Sequence, residues 1–326
     1  MPTILKEFKQ EFEFFLNDAI VNLLKESVKE VYIPALYSLL NGGKRIRSIL
    51  YLFVSEYQTN LEEEKKKDLF YTASAIESLH TYTLIHDDLP AMDNDPIRRG
   101  KASCHIEFPE WSAILAGDTL NTFAFYLLSF SNKNLSKKLE ILSKAIGHKG
   151  VIAGQALDLS NEKKNFKDPT KEFMFILKIL ESKKIIDIFK KYFDFPQFLQ
   201  LLSIHYLKTA IFFKAIMELG FYSRDKESDT NQLKILSEYG ESLGLLFQIQ
   251  DDILDEMGEE RNVGKKLKKD RISGKLTFPS LIGLEKSLEI ANELFEYSRN
   301  LALKFSDCLY QNYLIELPYY ILKRNH

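Results

Sequence analysis

Turn residues are scarce in this 326-residue chain: 14 glycines and 9 prolines make roughly 7% where about 12% is usual. Few breaks mean few connections, which argues for long helices over many short strands. Charge of one sign is missing too. The formal net charge is −2, without the basic excess that a nucleic-acid surface requires. Cysteine is limited to Cys104 and Cys308, far apart and without a CxxC pair, so neither a metal knuckle nor a disulfide framework is expected, and a reducing cytoplasmic setting fits. Apolar runs of 18 to 20 residues are absent as well. The best candidate, Trp111 to Phe130, is interrupted by Asp118 and Asn121, so no membrane span is expected. The first fifteen residues, MPTILKEFKQEFEFF, carry a charge every few positions and read as an amphipathic helix, with no apolar stretch to serve as a secretory signal.

What is present is apolar residues at three and four spacing, as in Phe8, Phe12, Phe15 and Leu16, or Leu236, Tyr239, Leu243 and Leu246. That period predicts an all-α protein. The breaks near Asn41-Gly42-Gly43, Glu62 to Lys67, Asn132 to Asn134, Arg224 to Thr230 and Gly258 to Gly274 are too short to mark a linker, which predicts one large helical domain over residues 1–326.

Two apolar helical segments end in acid: LIHDDLPAMD at Leu84 to Asp93 and FQIQDDILDE at Phe247 to Glu256. Burying unpaired aspartates is costly, so these faces should meet water or a cation. Asp251 and Asp255 lie four apart on one helix face, with Asp252 to the side. Asp87 and Asp93 are six apart, and a bulge of about two residues at Pro90 would turn Asp93 back toward Asp87. Oxygen donors without histidine or thiolate pairs suit Mg²⁺, which keeps places for water and phosphate oxygens. A polyphosphate held this way also needs fixed cations. Lys44 and Arg47 in GGKRIR are predicted on one side of a starting helix; Arg98-Arg99-Gly100-Lys101 follows the first acidic cluster; Lys208 sits in an otherwise apolar helix from Ile204 to Leu219, beside Thr209. His80 lies two turns before Asp87 on the same face, and Lys265 lies in the charged run GKKLKKDR.

In order along the chain, GGKRIR, HTYTLIHDDLPAMDNDPIRRGK, AILAGDTLNTFAFYLL, AGQALDLS, IHYLKT, SEYGESLGLLFQIQDDILDEMG and GKLTFPSLIGLE resemble the short-chain polyprenyl diphosphate synthases, bacterial farnesyl diphosphate synthases most closely. The resemblance runs from about residue 38 to 285 and includes the terminal YYILKRNH. It implies helices around a deep cavity with the two acidic motifs facing each other at its mouth, usually in a homodimer. It also implies Mg²⁺-dependent head-to-tail condensation of isopentenyl diphosphate with an allylic diphosphate, dimethylallyl or geranyl. By position, Asp87, Asp88, Asp93, Asp251, Asp252 and Asp255 would hold three Mg²⁺ on the allylic diphosphate and Arg98 would bind it. Lys44, Arg47, His80 and Arg99 would bind isopentenyl diphosphate, and Lys208, Thr209, Gln248 and Lys265 would hold the allylic substrate and its developing cation. Tyr82 and Thr83, five and four residues before Asp87, occupy the family's length-limiting positions, where an aromatic implies a product of fifteen carbons.

The sequence departs from the family at Ser48, where proline is usual, at Lys268, and in about thirty extra residues around Lys163 to Phe195. Alternatives to farnesyl diphosphate synthesis are geranylgeranyl diphosphate synthesis or a non-catalytic subunit of a heteromeric synthase. A terpene cyclase would not need the second basic site, and a di-iron oxidase needs paired Glu-x-x-His motifs, of which Glu77 to His80 is one.

Overall fold

The computed structural model describes residues 3–161, 173–180, 182–195, 197–226, 229–257, 276–305 and 308–323. It is all-α, as the periodicity predicts, apart from one two-stranded ribbon. The chain divides into two compact units: the first holds residues 1–139 and 222–225, the second 140–221 and 226–326.

The first unit is ordered around α4, Glu63–Asp87, which follows α1 (Thr3–Phe15), α2 (Lys29–Leu40) and α3 (Ile46–Val54). Glu63 and Glu64 in its first turn complement the positive end of the helix. Between Leu69 and Ile85 most of its residues are buried, which explains why the segment alternates apolar with small residues such as Ala73, Ser74, Ala75 and Ser78. At its start an aromatic cluster closes over Phe70: Phe12, Phe15 and Tyr57 have ring centroids 6.1, 5.3 and 4.9 Å away. At its end α5, Glu110–Leu128, packs alongside. A side chain at Gly117 of α5 would stand 2.1 Å from the His86 ring, so glycine is what lets the two helices meet beside the acidic motif.

The second unit is built on α6 (Val151–Asn161), a helix entered as α7 (Phe198–His205), and the 28-residue α8 (Thr230–Met257). After α7 the chain widens into a π-turn, Tyr206–Ala210, before resuming as Ile211–Ser223. Gly240 and Gly244 of α8 face Lys214 and Ala210; an added Cβ would lie 2.6 and 2.5 Å from their Cα atoms. Gly154 of α6 likewise meets the backbone of Lys208, at 2.3 Å. Close backbone approach on both sides therefore fixes the π-turn, and Lys208 with it. The unit also holds α9 (Phe278–Ile282), α10 (Leu284–Ala302) and α11 (Gln311–Leu322).

Candidate active site

In the first unit α4 ends at Asp87, one residue before the acidic pair is complete. The expected bulge is instead a helix end followed by a closed loop. Leu89 N–H donates to the His86 carbonyl (3.1 Å), Met92 N–H to Leu89 (2.9 Å), and Asp93 N–H back to the Asp87 carbonyl at 2.9 Å. Pro90 sits exposed at the bend, where its missing donor costs nothing. The result matches the purpose inferred for Pro90: Asp93 returns to Asp87, and both are partly exposed.

Asp88 behaves differently. It is 1% exposed, and Arg98 Nε reaches both of its carboxylate oxygens at 3.0 Å while Nη2 donates to Oδ1. Arg98 also reaches Asp95 at 3.3 Å. Burial opposes the guanidinium's charge, but the Asp88 hydrogen bonds and the charges of Asp88, Asp95 and Asp87 prevail and hold its pKa above the ordinary value. Sequence placed Asp88 on metal and Arg98 on diphosphate; the structure joins them to each other.

The ribbon pairs β1 (Ile97–Arg98) with β2 (Lys101–Ala102), Ile97 opposite Ala102 and Arg98 opposite Lys101. Arg99 and Gly100 form its turn with φ of 53° and 76°, the left-handed pair that a two-residue hairpin favours. Arg99 is thereby aimed at the GGKRIR loop, where Nη1 donates to the Gly42 carbonyl at 2.8 Å. Gly43, φ 116°, has no room for a side chain: a Cβ would lie 2.9 Å from the Arg99 guanidinium carbon.

Lys44 and Arg47 do not share a helix turn as expected. Arg45 adopts φ 51° and α3 begins after it, at Ile46, leaving Lys44 exposed ahead of the helix. The cause is Arg45 itself, 4% exposed. Its Nη1 donates to Glu77 Oε1 at 2.7 Å and its Nη2 to the Leu39 carbonyl at 2.9 Å. Ser48, at the position where proline is usual, donates to the other Glu77 oxygen at 3.0 Å and to the Ala73 carbonyl at 3.1 Å. A buried ion pair thus holds the loop in a conformation that Arg45 would otherwise avoid. Glu77 is consumed in this way, which removes it from any Glu-x-x-His metal site.

His80 lies 3.3 Å from Arg47 Nη1. Burial, then the charges of Arg47, Arg99, Arg45 and Arg98, hold its pKa well below the ordinary histidine value. Neutral His80 therefore accepts from Arg47 and orients it. Arg99 is also lowered, chiefly by burial, with Glu77 opposing and Arg45 and Arg98 adding to the shift. Tyr82 is 6% exposed, its ring edge-on to His86 at 5.5 Å, and burial with the charges of Asp87 and Asp118 pushes its hydroxyl up to about 12. Thr83 donates to the His80 carbonyl at 2.8 Å.

In the second unit, Lys208 meets the anion its position demands: Nζ lies 2.6 Å from Asp158 Oδ2 on α6. Thr209 donates to Gln248 Oε1 at 2.8 Å. Asp251 and Asp255 are partly exposed, whereas Asp252 is 5% exposed. A single oxygen of Asp252, Oδ2, receives His205 Nε2 at 2.9 Å and the Phe278 N–H at 3.0 Å. Lys265 lies outside the described residues.

Sequence reasoning gave no role in the diphosphate site to Arg45, Glu77, Asp158 or His205. Their signal was present as charge inside apolar helical segments: Glu77 among small residues, Asp158 in AGQALDLS, His205 three before Lys208. Gln155, one turn from Asp158 and 7% exposed, also buries both amide atoms without a hydrogen-bond partner among the described residues. A polar ligand group is the chemical complement of such an amide.

The donors suit a hard cation. Asp87 with Asp93, and Asp251 with Asp255, offer oxygen only. Mg²⁺ is held by one or two carboxylates and keeps places for water and phosphate oxygens, and among the described residues no three His, Cys, Asp or Glu side chains converge on one metal position.

An all-α chain with two acidic helix ends, the first paired with Arg98 and the second in the unit that also holds Lys208, fits an enzyme of metal-assisted diphosphate chemistry. Its relatives agree. Residues 28–304 match the Polyprenyl synthetase family. The chain is 35% identical over 296 residues to farnesyl diphosphate synthase of Escherichia coli, covering 89% of this chain and 87% of that one. It is 36% identical over 293 residues to geranylgeranyl pyrophosphate synthase 4 of Arabidopsis thaliana, covering 89% and 70%. It superimposes on the Helicobacter pylori geranyltransferase complexed with magnesium and isoprenyl diphosphate with a TM-score of 0.73 at 30% identity, covering 99% and 97%. The chain belongs to the polyprenyl synthetase family and is a prenyltransferase of prenyl chain elongation.

Proposed function

We propose that the chain is a farnesyl diphosphate synthase, condensing isopentenyl diphosphate with dimethylallyl and then geranyl diphosphate and stopping at fifteen carbons. Tyr82 carries this reading. It is a buried aromatic one turn below Asp87, where a lengthening chain held by its diphosphate at Asp87 and Asp93 would meet it. Geranylgeranyl diphosphate synthesis is the second reading, and similarity to the Arabidopsis protein favours it to the same degree as identity alone can.

Asp87, Asp93, Asp251, Asp255 and the remaining oxygen of Asp252 are assigned to Mg²⁺, three ions in all, and the allylic diphosphate. Asp88 holds Arg98 in place beside that diphosphate. When bound, the metal neutralises the charge that gathers on the departing diphosphate. Lys208 and Thr209 present a fixed cation and a hydroxyl, oriented by Asp158 and Gln248, to the allylic group. Lys44, Arg47 and Arg99 bind the diphosphate of isopentenyl diphosphate, with neutral His80 fixing Arg47. Holding the second substrate by its own cations aims its double bond at the allylic carbon and makes the encounter effectively intramolecular. Lys265 is assigned to the allylic diphosphate on its motif alone.

A homodimer belongs to the same reading. On α5, Trp111, Ile114, Leu115 and Tyr126 are 54%, 38%, 43% and 48% exposed at helical spacing, an apolar stripe of the kind that marks an interface. Cys104 and Cys308 form no disulfide with each other, which supports a reducing cytoplasmic location, and among the described residues no helix is long and apolar enough to cross a membrane.

Product analysis tests the assignment. Wild type supplied with isopentenyl and dimethylallyl diphosphate should accumulate the fifteen-carbon product, and Tyr82→Ala should shift it to twenty carbons or more. A twenty-carbon product from wild type would establish the second reading instead, and an unchanged profile in Tyr82→Ala would remove Tyr82 as the stop.

A further inference from the structure

We propose that residues 182–195, a described part of the extra segment read around Lys163 to Phe195, are a positioning element for the second acidic motif: Phe189, through Phe278, fixes the orientation of Asp252. The proposal rests on the assignment of Asp251 to Asp255 to metal and diphosphate.

The segment is anchored on two helices. Ser182 caps the helix Lys183–Phe189 by accepting from Ile185 N–H at 3.3 Å, and the same hydroxyl lies 2.8 Å from the Tyr297 hydroxyl on α10 and 3.4 Å from Glu238 on α8. Beyond the end of that helix, Lys191 reaches Glu293 of α10 at 2.6 Å, and Lys286 stands 5.0 Å over the Phe195 ring. Four buried side chains, Ile185, Ile188, Phe189 and Tyr192, then face inward.

Phe189 is the one that leads to the site. It is fully buried, with ring centroids 5.9 Å from Phe198 and 6.2 Å from Phe278. Phe278 is also fully buried, stands edge-on to Phe198 at 5.6 Å and stacks on the His205 ring at 5.2 Å with an interplanar angle of 22°. Both ends of that stack, the Phe278 backbone N–H and His205 Nε2, donate to Asp252 Oδ2. A carboxylate only accepts, so Nε2 carries the proton and the imidazole plane is set by the hydrogen bond on one edge and the Phe278 face on the other. Close-packed aromatic rings transmit displacement because there is no void to absorb it. Removing the Phe189 ring lets Phe278 tilt, which moves both donors and rotates Asp252. Loss of a group that orients a metal-binding carboxylate in this way typically costs about 10- to 100-fold in metal affinity or activity.

The test compares Phe189→Leu with Ile188→Ala, a cavity of similar burial on the same helix with no ring contact to Phe278. Two signals are read: the His205 imidazole resonance, assigned with His205→Gln and sensitive to the Phe278 ring, and Mg²⁺-dependent binding of geranyl S-thiolodiphosphate, which does not ionise. Phe189→Leu should shift the resonance and weaken analogue binding roughly fivefold, below the ~10- to 100-fold expected for a direct orienting group such as His205. Ile188→Ala should lower thermal stability and leave both signals at wild-type values. Equal effects of the two variants on binding, or an unmoved resonance in Phe189→Leu, would overturn the relay. Wild-type analogue binding by Asp252→Asn would instead remove Asp252 from the metal site, and the proposal with it.

Discussion

Replacing Glu77 with glutamine leaves the Arg45 guanidinium in place, almost completely buried, and opposite a neutral amide. In the native chain both side chains are 2% exposed and 2.7 Å apart. Removing one partner of a buried pair destabilises by about 3–5 kcal/mol; here the value should fall toward the lower end, because Arg45 keeps the Leu39 carbonyl and Glu13 lies 3.5 Å away. The loss has a second consequence. The pair holds Arg45 at φ 51°, and Lys44 precedes it and Arg47 follows it in the chain, so the loop relaxes and the KM for isopentenyl diphosphate rises more than that for geranyl diphosphate. Urea unfolding followed by circular dichroism should show a lower midpoint at unchanged slope, and initial rates should show the KM split. The double variant Arg45→Met with Glu77→Leu removes both charges and leaves Ser48 its Ala73 carbonyl. It should regain most of the stability without regaining the KM. A loss below about 1 kcal/mol in Glu77→Gln, or recovery of both quantities in the double variant, would refute the idea that this pair shapes the basic loop.

Gly43→Ala should shift the Arg99 guanidinium and strain a backbone at φ 116°, costing on the order of 1–3 kcal/mol and raising the KM for isopentenyl diphosphate while kcat at saturation stays near wild type. His80 makes stability pH-dependent. Its folded pKa is depressed by burial and by four arginines, so as pH falls through about 6.5 the unfolded chain gains a proton that the folded chain does not. Stability therefore falls, by up to ~1.4 kcal/mol per pH unit. His80→Gln should remove that component, and parallel stability profiles for the two proteins between pH 5 and 7 would contradict it.

Helical periodicity disclosed the all-α architecture, since it depends on which residues are apolar and at what spacing. The acidic motifs and Lys208 were equally plain, because charge in an apolar helix demands a partner; Asp158 is that partner for Lys208. What sequence could not supply was the division of labour inside each Asp-Asp pair. Asp87 and Asp88 are chemically identical, and only the placement of Arg98 by the hairpin commits Asp88 to an internal bond. The GGKRIR loop misled for a related reason: Arg45 takes a left-handed conformation that arginine rarely adopts, stabilised by Glu77, 32 positions away. Long-range pairing of that kind leaves no periodic trace. The extra residues around Lys163 to Phe195 read as amphipathic helix, and in their described part they form helices, but their aromatic contact with Phe278 spans 89 positions.

The proposed reaction uses two diphosphates, one losing its diphosphate and the other bound at a separate basic site. Isotopically labelled isopentenyl diphosphate, incubated with the protein, Mg²⁺ and unlabelled geranyl diphosphate, tests it most directly. One labelled five-carbon unit should appear in each fifteen-carbon product, with no incorporation after Mg²⁺ is chelated. Consumption of geranyl diphosphate to hydrolysed or cyclised products with no label incorporated would contradict it.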